Sequence, residues 1–164
     1  MIQVVVDDLA LIEVDAVVRP ADAMLAPVTP AVSRLDELGG ERFAAQRRVT
    51  TGLEAGAAVV TGGGDLAAPF VLHVVIRDDR SEGGRDVIRR ALVSAWQRAQ
   101  DWGLRTVAAP LVGIGAGHLS LEEAAGLLAE TFPRAGSGLN PEELRIVVER
   151  EDERETVEAI VRRR

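Results

Sequence analysis

Three glycines at alternate positions, Gly113, Gly115 and Gly117, follow a short apolar run from Thr106 to Ala109. They precede Ser120-Leu121-Glu122-Glu123. Ser120 and Glu123 have the spacing of a capping box, in which each side chain satisfies an orphan N–H at a helix start. The unit reads as a strand, a glycine loop and a helix N-terminus. Glycine has no Cβ, so its backbone N–H groups can turn toward a ligand. The helix start adds partial positive charge. Together these features make an anion site, most often for phosphate. The same pattern also fits a plain turn between a strand and a helix, and by itself it leaves both readings open.

The other chemically capable side chains give no catalytic set. His118 follows the glycine loop, where an imidazole could serve as an acid or base, but its position suits a solvent-facing or capping role. His73 sits mid-strand among apolar residues and reads as a hydrogen-bonded core group. Two histidines in separate elements have no metal-ligand spacing, so neither a metal nor another cofactor is expected. Glu122-Glu123 and the acids from Glu149 to Glu155 read as helix-start and solvated charges. Trp96 and Trp102 lie on one amphipathic segment. We place Trp102 in its buried stripe and Trp96 at the edge, with neither acting as a platform for a base.

The elements that must position the glycine loop alternate. Strands are expected at Ile2 to Val6, Val14 to Val18, Ala57 to Thr61, Phe70 to Ile76, Thr106 to Ala109 and Leu144 to Glu149. Phe70 to Ile76 is the most apolar and is expected to be central. Arg19-Pro20-Ala21-Asp22 should break the second strand, because proline removes a donor and restricts the residue before it. Helices are expected at Ala31 to Leu38, at Glu41 to Val49 after a Gly39-Gly40 interruption, at Arg85 to Trp102, at Leu121 to Phe132 and at Asp152 to Arg163. The first should bury Ala31, Val32, Leu35 and Leu38. Such alternation implies an α/β domain, a three-layer α/β/α sandwich around a mixed, mostly parallel sheet. Ligands in such sheets bind beyond the carboxyl ends of the strands. The loops near Asp8, near Asp22 and at Gly113 to His118 then become neighbours.

Composition narrows the function classes. A chain of 164 residues is expected to form one domain, 1–164. It has no cysteine, which excludes disulfides, thiolate metal sites and cysteine nucleophiles. Every basic residue is arginine, which excludes a phosphate-loop or Schiff-base lysine. A net charge of -7 argues against general nucleic-acid binding but leaves room for a small anion held by local N–H groups. The first residues lack the basic stretch of a signal peptide, and no apolar run approaches a membrane span, so a cytoplasmic location and no membrane partner are expected.

Four segments, in order along the chain, resemble the macrodomain family, whose members bind ADP-ribose. Asp7-Asp8-Leu9-Ala10 stands where the family has Gly-Asp-Ile-Thr. Val14-Asp15-Ala16-Val17-Val18 is close to Val-Asp-Ala-Ile-Val. Phe70 to Val75 resembles the family's Val-Ile-His-x-Val strand. Pro110 to Gly117 resembles its Pro-Ala-Leu-Gly-Thr-Gly phosphate loop. The resemblance implies that the Asp8 carboxylate accepts a hydrogen bond from the adenine amino group and that Leu9 contacts the base. It further implies that Gly113, Ile114, Gly115, Ala116 and Gly117 wrap the diphosphate with backbone N–H groups. Ile114 replaces the usual threonine.

The departures lie on the opposite wall. Arg19-Pro20-Ala21-Asp22 replaces Asn-Ala-Ala-Asn, so both asparagines that serve the distal ribose in hydrolytic members are gone. Val28-Thr29-Pro30-Ala31-Val32 replaces a Gly-Gly-Gly-Val loop, and Val32 holds the position of an aspartate used in catalysis. Gly117 replaces an aromatic. Asp22 is a candidate ribose ligand in place of asparagine, with an exposed loop or capping acid as the alternative; a carboxylate near a diphosphate is repelled. Arg19 could salt-bridge a ligand, or pair with Asp22 or Asp15 and block the pocket. Three functions follow: a binding module for ADP-ribose, a related nucleotide diphosphate or ADP-ribosylated protein; an ADP-ribosyl hydrolase; or a scaffold that has lost its pocket. The missing asparagines favour binding without efficient hydrolysis, with no catalytic residue assigned.

Overall fold

A computed structural model describes residues 1–115 and 118–164. The elements are β1 (Ile2–Val6), β2 (Ala16–Asp22), α1 (Pro30–Gln46), β3 (Ala58–Gly62), β4 (Phe70–Arg77), α2 (Arg85–Asp101), β5 (Thr106–Ala109), α3 (Leu121–Thr131), β6 (Glu143–Val148) and α4 (Glu151–Arg162). The strands form one six-stranded sheet in the order β1-β6-β5-β2-β4-β3. All pairs are parallel except β3 with β4. The expected mixed, mostly parallel sheet with helices on both faces is the fold observed. No helix among the described residues is long and apolar enough to cross a membrane.

Period-two alternation in the strands sorts the core into two layers. Ala16, Val18, Leu72, Val74, Ile76, Leu144 and Ile146 point toward α2, α3 and α4 and build the larger core. Val17, Val71 and Ala108 point the other way, toward Leu35 and Phe43 of α1. Ala10, Ile12 and Val14, from the β1–β2 connection, complete that second layer.

Several sequence expectations need correction. Strand β4 is second from the edge rather than central; it is buried because β2 and β3 flank it and helices cover both faces. Strand β2 runs on through Arg19 and Pro20 to Asp22. Its pairing with β5 covers only Ala16 and Val17, so beyond that point it has one hydrogen-bonded neighbour and tolerates proline as an edge strand does. Trp96 is buried and Trp102 is 56% exposed, the reverse of the expected placement. Trp96 packs edge-on against Phe132 and donates Nε1–H to Thr131 Oγ1 at 2.9 Å. Trp102 lies at the α2 C-cap against Phe70. In α1, Val32 and Leu35 are buried but Ala31 and Leu38 are exposed. The break at Gly39-Gly40 is real: Gly40 takes φ +71°, a left-handed value inside an otherwise continuous helix.

The α1 layer also contains a buried polar group. Arg19, pointing to the same face as Val17, is fully buried and grips Asp36 of α1 with Nε and Nη2, each at 2.7 Å. Arg47 Nη1 reaches the same carboxylate at 3.1 Å. Arg19 Nη1 lies 3.2 Å from His73 Nδ1. Because a guanidinium only donates, that nitrogen accepts and Nε2 carries the proton. His73 Nε2–H then donates to Thr61 Oγ1 at 2.7 Å, and Thr61 donates to the Gly62 carbonyl. His73 is thus the hydrogen-bonded core group expected. Burial, reinforced by the Arg19 and Arg47 charges, holds its pKa well below the ordinary imidazole value.

Candidate functional site

The carboxyl ends of the parallel strands converge on one rim of the sheet. After β1 the chain turns sharply at Asp8: its carbonyl accepts from the Leu11 and Ile12 N–H groups, and its Oδ1 accepts from Ala10 N–H at 3.0 Å. These bonds leave Oδ2 facing α1, where Arg34 Nη2 donates to it at 2.6 Å. Both side chains are part exposed, at 33% for Asp8 and 52% for Arg34.

After β5, Pro110 and Leu111 lead into the glycine loop. Gly113 takes φ +104° and Gly115 φ +80°, values that favour glycine at both places. Gly113 is also the close-approach position, since a Cβ there would stand 2.6 Å from Leu119 Cδ1 and 2.8 Å from Ile88 Cδ1. Leu119 N–H closes the loop on the Gly113 carbonyl at 2.9 Å. Ser120 then caps α3: its hydroxyl accepts from Glu123 N–H and its own N–H donates to Glu123 Oε1, both at 3.1 Å. The capping box read from the sequence is present. The Ser120 N–H lowers the Glu123 pKa below the ordinary carboxyl value. His118 is exposed with φ +59°. Ala116 and Gly117 lie outside the described residues.

The third wall is the β2–α1 connection. Thr29 is the N-cap of α1, its Oγ1 accepting from Val32 N–H at 3.3 Å, and Pro30 opens the first turn. Proline at this place has no donor to offer, and the cap uses another, so this helix start presents few free N–H groups. Asp22 is tied into its own loop: Oδ1 accepts from Met24 and Ala26 N–H, both at 2.9 Å.

Two adjoining cavities lie between these walls. One, of about 470 Å³, opens beside Asp8, Arg34 and Glu149. The other, of about 50 Å³, is lined by Val28, Val32, Ile76 and Ile114, with Pro20 at its wall. Leu9, Ala31 and Pro110 border both. Size alone does not select the site: a groove of about 390 Å³ between β1 and α4 exceeds the smaller of these cavities, yet no strand-end loop lines it.

The residues singled out by sequence thus divide. Asp8, Leu9, Gly113 and Ile114 line the cleft, and Gly115 continues the same loop. Asp22 lines neither cavity. Arg19 pairs with Asp36 beneath α1 rather than with a cleft ligand, Asp22 or Asp15. Asp15 instead accepts from the Arg105 and Thr106 backbone N–H groups. Sequence reasoning missed Arg34, whose partner lies 26 positions away, and missed Thr29 as a cap, although Thr-Pro before an apolar-periodic stretch is a helix-start signal.

The Macro domain family model matches residues 32–128, more than half of the chain. The chain belongs to the macro domain family. An uncharacterized protein of Aeropyrum pernix is 30% identical over 141 residues, covering 77% of this chain and 71% of its own length. A macro domain-containing protein of Caldanaerobacter subterraneus subsp. tengcongensis is 27% identical over 142 residues, covering 83% and 81%. Among solved structures, the Trypanosoma brucei macrodomain in complex with ADP-ribose superposes with a TM-score of 0.82 at 22% identity, over 98% of this chain and 68% of that one. A point mutant of the Oceanobacillus iheyensis macrodomain gives 0.82 at 16% identity, over 98% and 90%. These likenesses carry the macro domain fold across nearly the whole chain.

Proposed function

We propose that this macro domain binds ADP-ribose or a related nucleotide diphosphate, free or carried on a modified protein, in the cleft between Asp8 and the glycine loop. The observation that carries the reading is the placement of Asp8-Leu9 and Gly113-Ile114, distant in sequence, around cavities that share Leu9 and Pro110. In this reading the Asp8 carboxylate, which keeps lone pairs beyond those used by Ala10 and Arg34, accepts from an exocyclic amino group of the base. The backbone of Gly113, Ile114 and Gly115 cradles the diphosphate. The T. brucei relative crystallised with ADP-ribose supports the ligand class.

Binding without efficient hydrolysis is the favoured form of this activity. The three positions that depart from hydrolytic members hold a buried Arg19 paired with Asp36, an Asp22 bonded to its own loop, and a buried apolar Val32. None is placed to activate water in the cleft. Arg19 also leaves the cleft unfilled, which removes the main argument for a scaffold without a pocket. Calorimetric titration with ADP-ribose, joined to a thermal-shift assay, tests the reading. Saturable heat and a rise in melting temperature are expected; neither at millimolar ligand would sink it. Steady turnover of a mono-ADP-ribosylated protein would instead establish the hydrolase.

A further inference from the structure

The sheet has two edges, and they are finished differently. At one, β3 turns the Gly62 N–H outward, and Gln46 Oε1 of α1 accepts it at 3.1 Å. At the other, β1 pairs with β6 alone. That parallel ladder uses alternate residues of β1. Leu144 N–H donates to the Met1 carbonyl and Asp7 N–H to the Val148 carbonyl, so Gln3 and Val5 supply the rungs between. Ile2, Val4 and Val6 therefore turn N–H and C=O away from the sheet, where they have no hydrogen-bond partner among the described residues. Val4 is only 7% exposed, so its unpaired backbone groups have little access to water, which is unfavourable. The usual guards of an edge strand are missing as well: Ile2-Gln3-Val4-Val5-Val6 has no charge, no proline and no bulge.

Beside this edge runs the groove of about 390 Å³ between β1 and α4, bordered by Ile2, Val4, Glu158, Val161 and Arg162. An added strand fits it, since its backbone meets the outward groups of β1 and its alternate apolar side chains enter the groove. We propose that this strand is β1 of a second copy of the chain, paired antiparallel about a two-fold axis at Val4, so that two six-stranded sheets become one. The strand is self-complementary in that register. Val4 faces its own counterpart and Ile2 faces Val6, which sets each outward N–H opposite an outward C=O. The pairing also covers Val6, which is 45% exposed in the single chain, with an apolar neighbour. Charge agrees with the two-fold. It sets the two α4 helices antiparallel, and each begins with Glu151, Asp152 and Glu153 and ends with Arg162. The acidic start of one helix thus lies on the side of the basic end of the other. Arg163 and Arg164 pair with Glu122 and Glu130 of their own chain. Arg162 lines the groove and has no ion-pair partner within its chain among the described residues, so it is available to the acids of the second copy. This inference is independent of the nucleotide reading.

Sedimentation equilibrium from about 1 μM to about 1 mM, with amide hydrogen exchange at both ends of that range, tests the pairing. A monomer–dimer equilibrium is expected. At high concentration the Val4 and Val6 amides should exchange slowly; on dilution they should exchange fast, while Gln3 and Val5, bonded to β6, stay protected. Val6→Lys puts a charge on the edge against an apolar neighbour and should weaken dimerisation about tenfold or more. Val6 is exposed in the single chain, so the variant's thermal melt at low concentration should match the wild type. A wild-type chain that stays monomeric across the range overturns the proposal and leaves this edge to a strand of another protein. A dimer whose Val4 and Val6 amides exchange as fast as in the monomer overturns it too, because that dimer uses another surface. A Val6→Lys dimer as tight as the wild type has the same consequence.

Discussion

Arg19 Nε and Nη2 each stand 2.7 Å from an oxygen of Asp36, with the arginine fully buried and the aspartate side chain only 10% exposed. The pair joins β2 to α1 directly beneath the cleft wall that α1 provides. A buried ion pair adds little net stability over apolar packing, because both charges must leave water. Removing one partner is different, since it strands the other charge. Asp36→Ala should therefore lower unfolding free energy by about 3–5 kcal/mol in chemical denaturation. The double substitution Arg19→Met with Asp36→Leu should be more stable than Asp36→Ala alone. A single variant as stable as the wild type would show that Arg19 finds water or another partner.

His73 makes stability depend on pH. Burial first, then the Arg19 and Arg47 charges, hold its folded pKa well below the ordinary value of 6.5. The folded state thus keeps His73 neutral where the unfolded chain takes up a proton. The unfolded state binds more protons below pH ~6.5, so stability falls as pH drops, by up to about 1.4 kcal/mol per pH unit from this group. Above the unfolded value the contribution is fully present. Denaturant midpoints measured between neutral pH and pH ~5 should show this decline, and His73→Gln should flatten it. An equal slope in the variant would assign the effect to the carboxylates instead.

Gly113 and Gly115 both have positive φ but differ in surroundings. A Cβ at Gly113 meets Leu119 and Ile88 side chains, whereas one at Gly115 meets nothing within 4 Å among the described residues. Gly115→Ala should cost about 1 kcal/mol from backbone strain alone. Gly113→Ala should cost roughly 1–3 kcal/mol more, because strain is joined by overpacking. Thermal melts of the two variants compare them directly. The opposite ranking would mean that the loop does not hold this conformation in solution.

What could be read from the chain follows physical locality. Alternating apolar strands, the Ser120–Glu123 box and the Gly39-Gly40 break are signals carried by neighbouring residues, and the structure contains each of them. Strand order, by contrast, is a long-range property, and the apolarity of Phe70 to Ile76 reported burial rather than centrality. Trp96 and Trp102 were interchanged because helical periodicity places a stripe without saying which end leaves the core. Arg19 is fixed by a long-range contact. Its type suggested a ligand, but its partner sits on α1, and only the strand alternation seen after β2 proved continuous through Pro20 shows which way it points.

Asp8 and Arg34 bring the nucleotide reading to a mutational test. Their bridge is part exposed, at 33% and 52%, so it should matter little to folding. Asp8→Ala removes the acceptor proposed for the base and should weaken ADP-ribose binding by about 1–3 kcal/mol. Arg34→Ala removes the cation that shares the polar cavity with Asp8. An anionic nucleotide should bind the variant more weakly by about 1 kcal/mol at low salt, with the difference shrinking as ionic strength rises. Calorimetry at two salt concentrations, with thermal melts as a control for folding, separates the two roles. Tighter binding in Arg34→Ala would mean that the bridge competes with the ligand for the Asp8 carboxylate, and that the unliganded cleft holds its own acceptor in check.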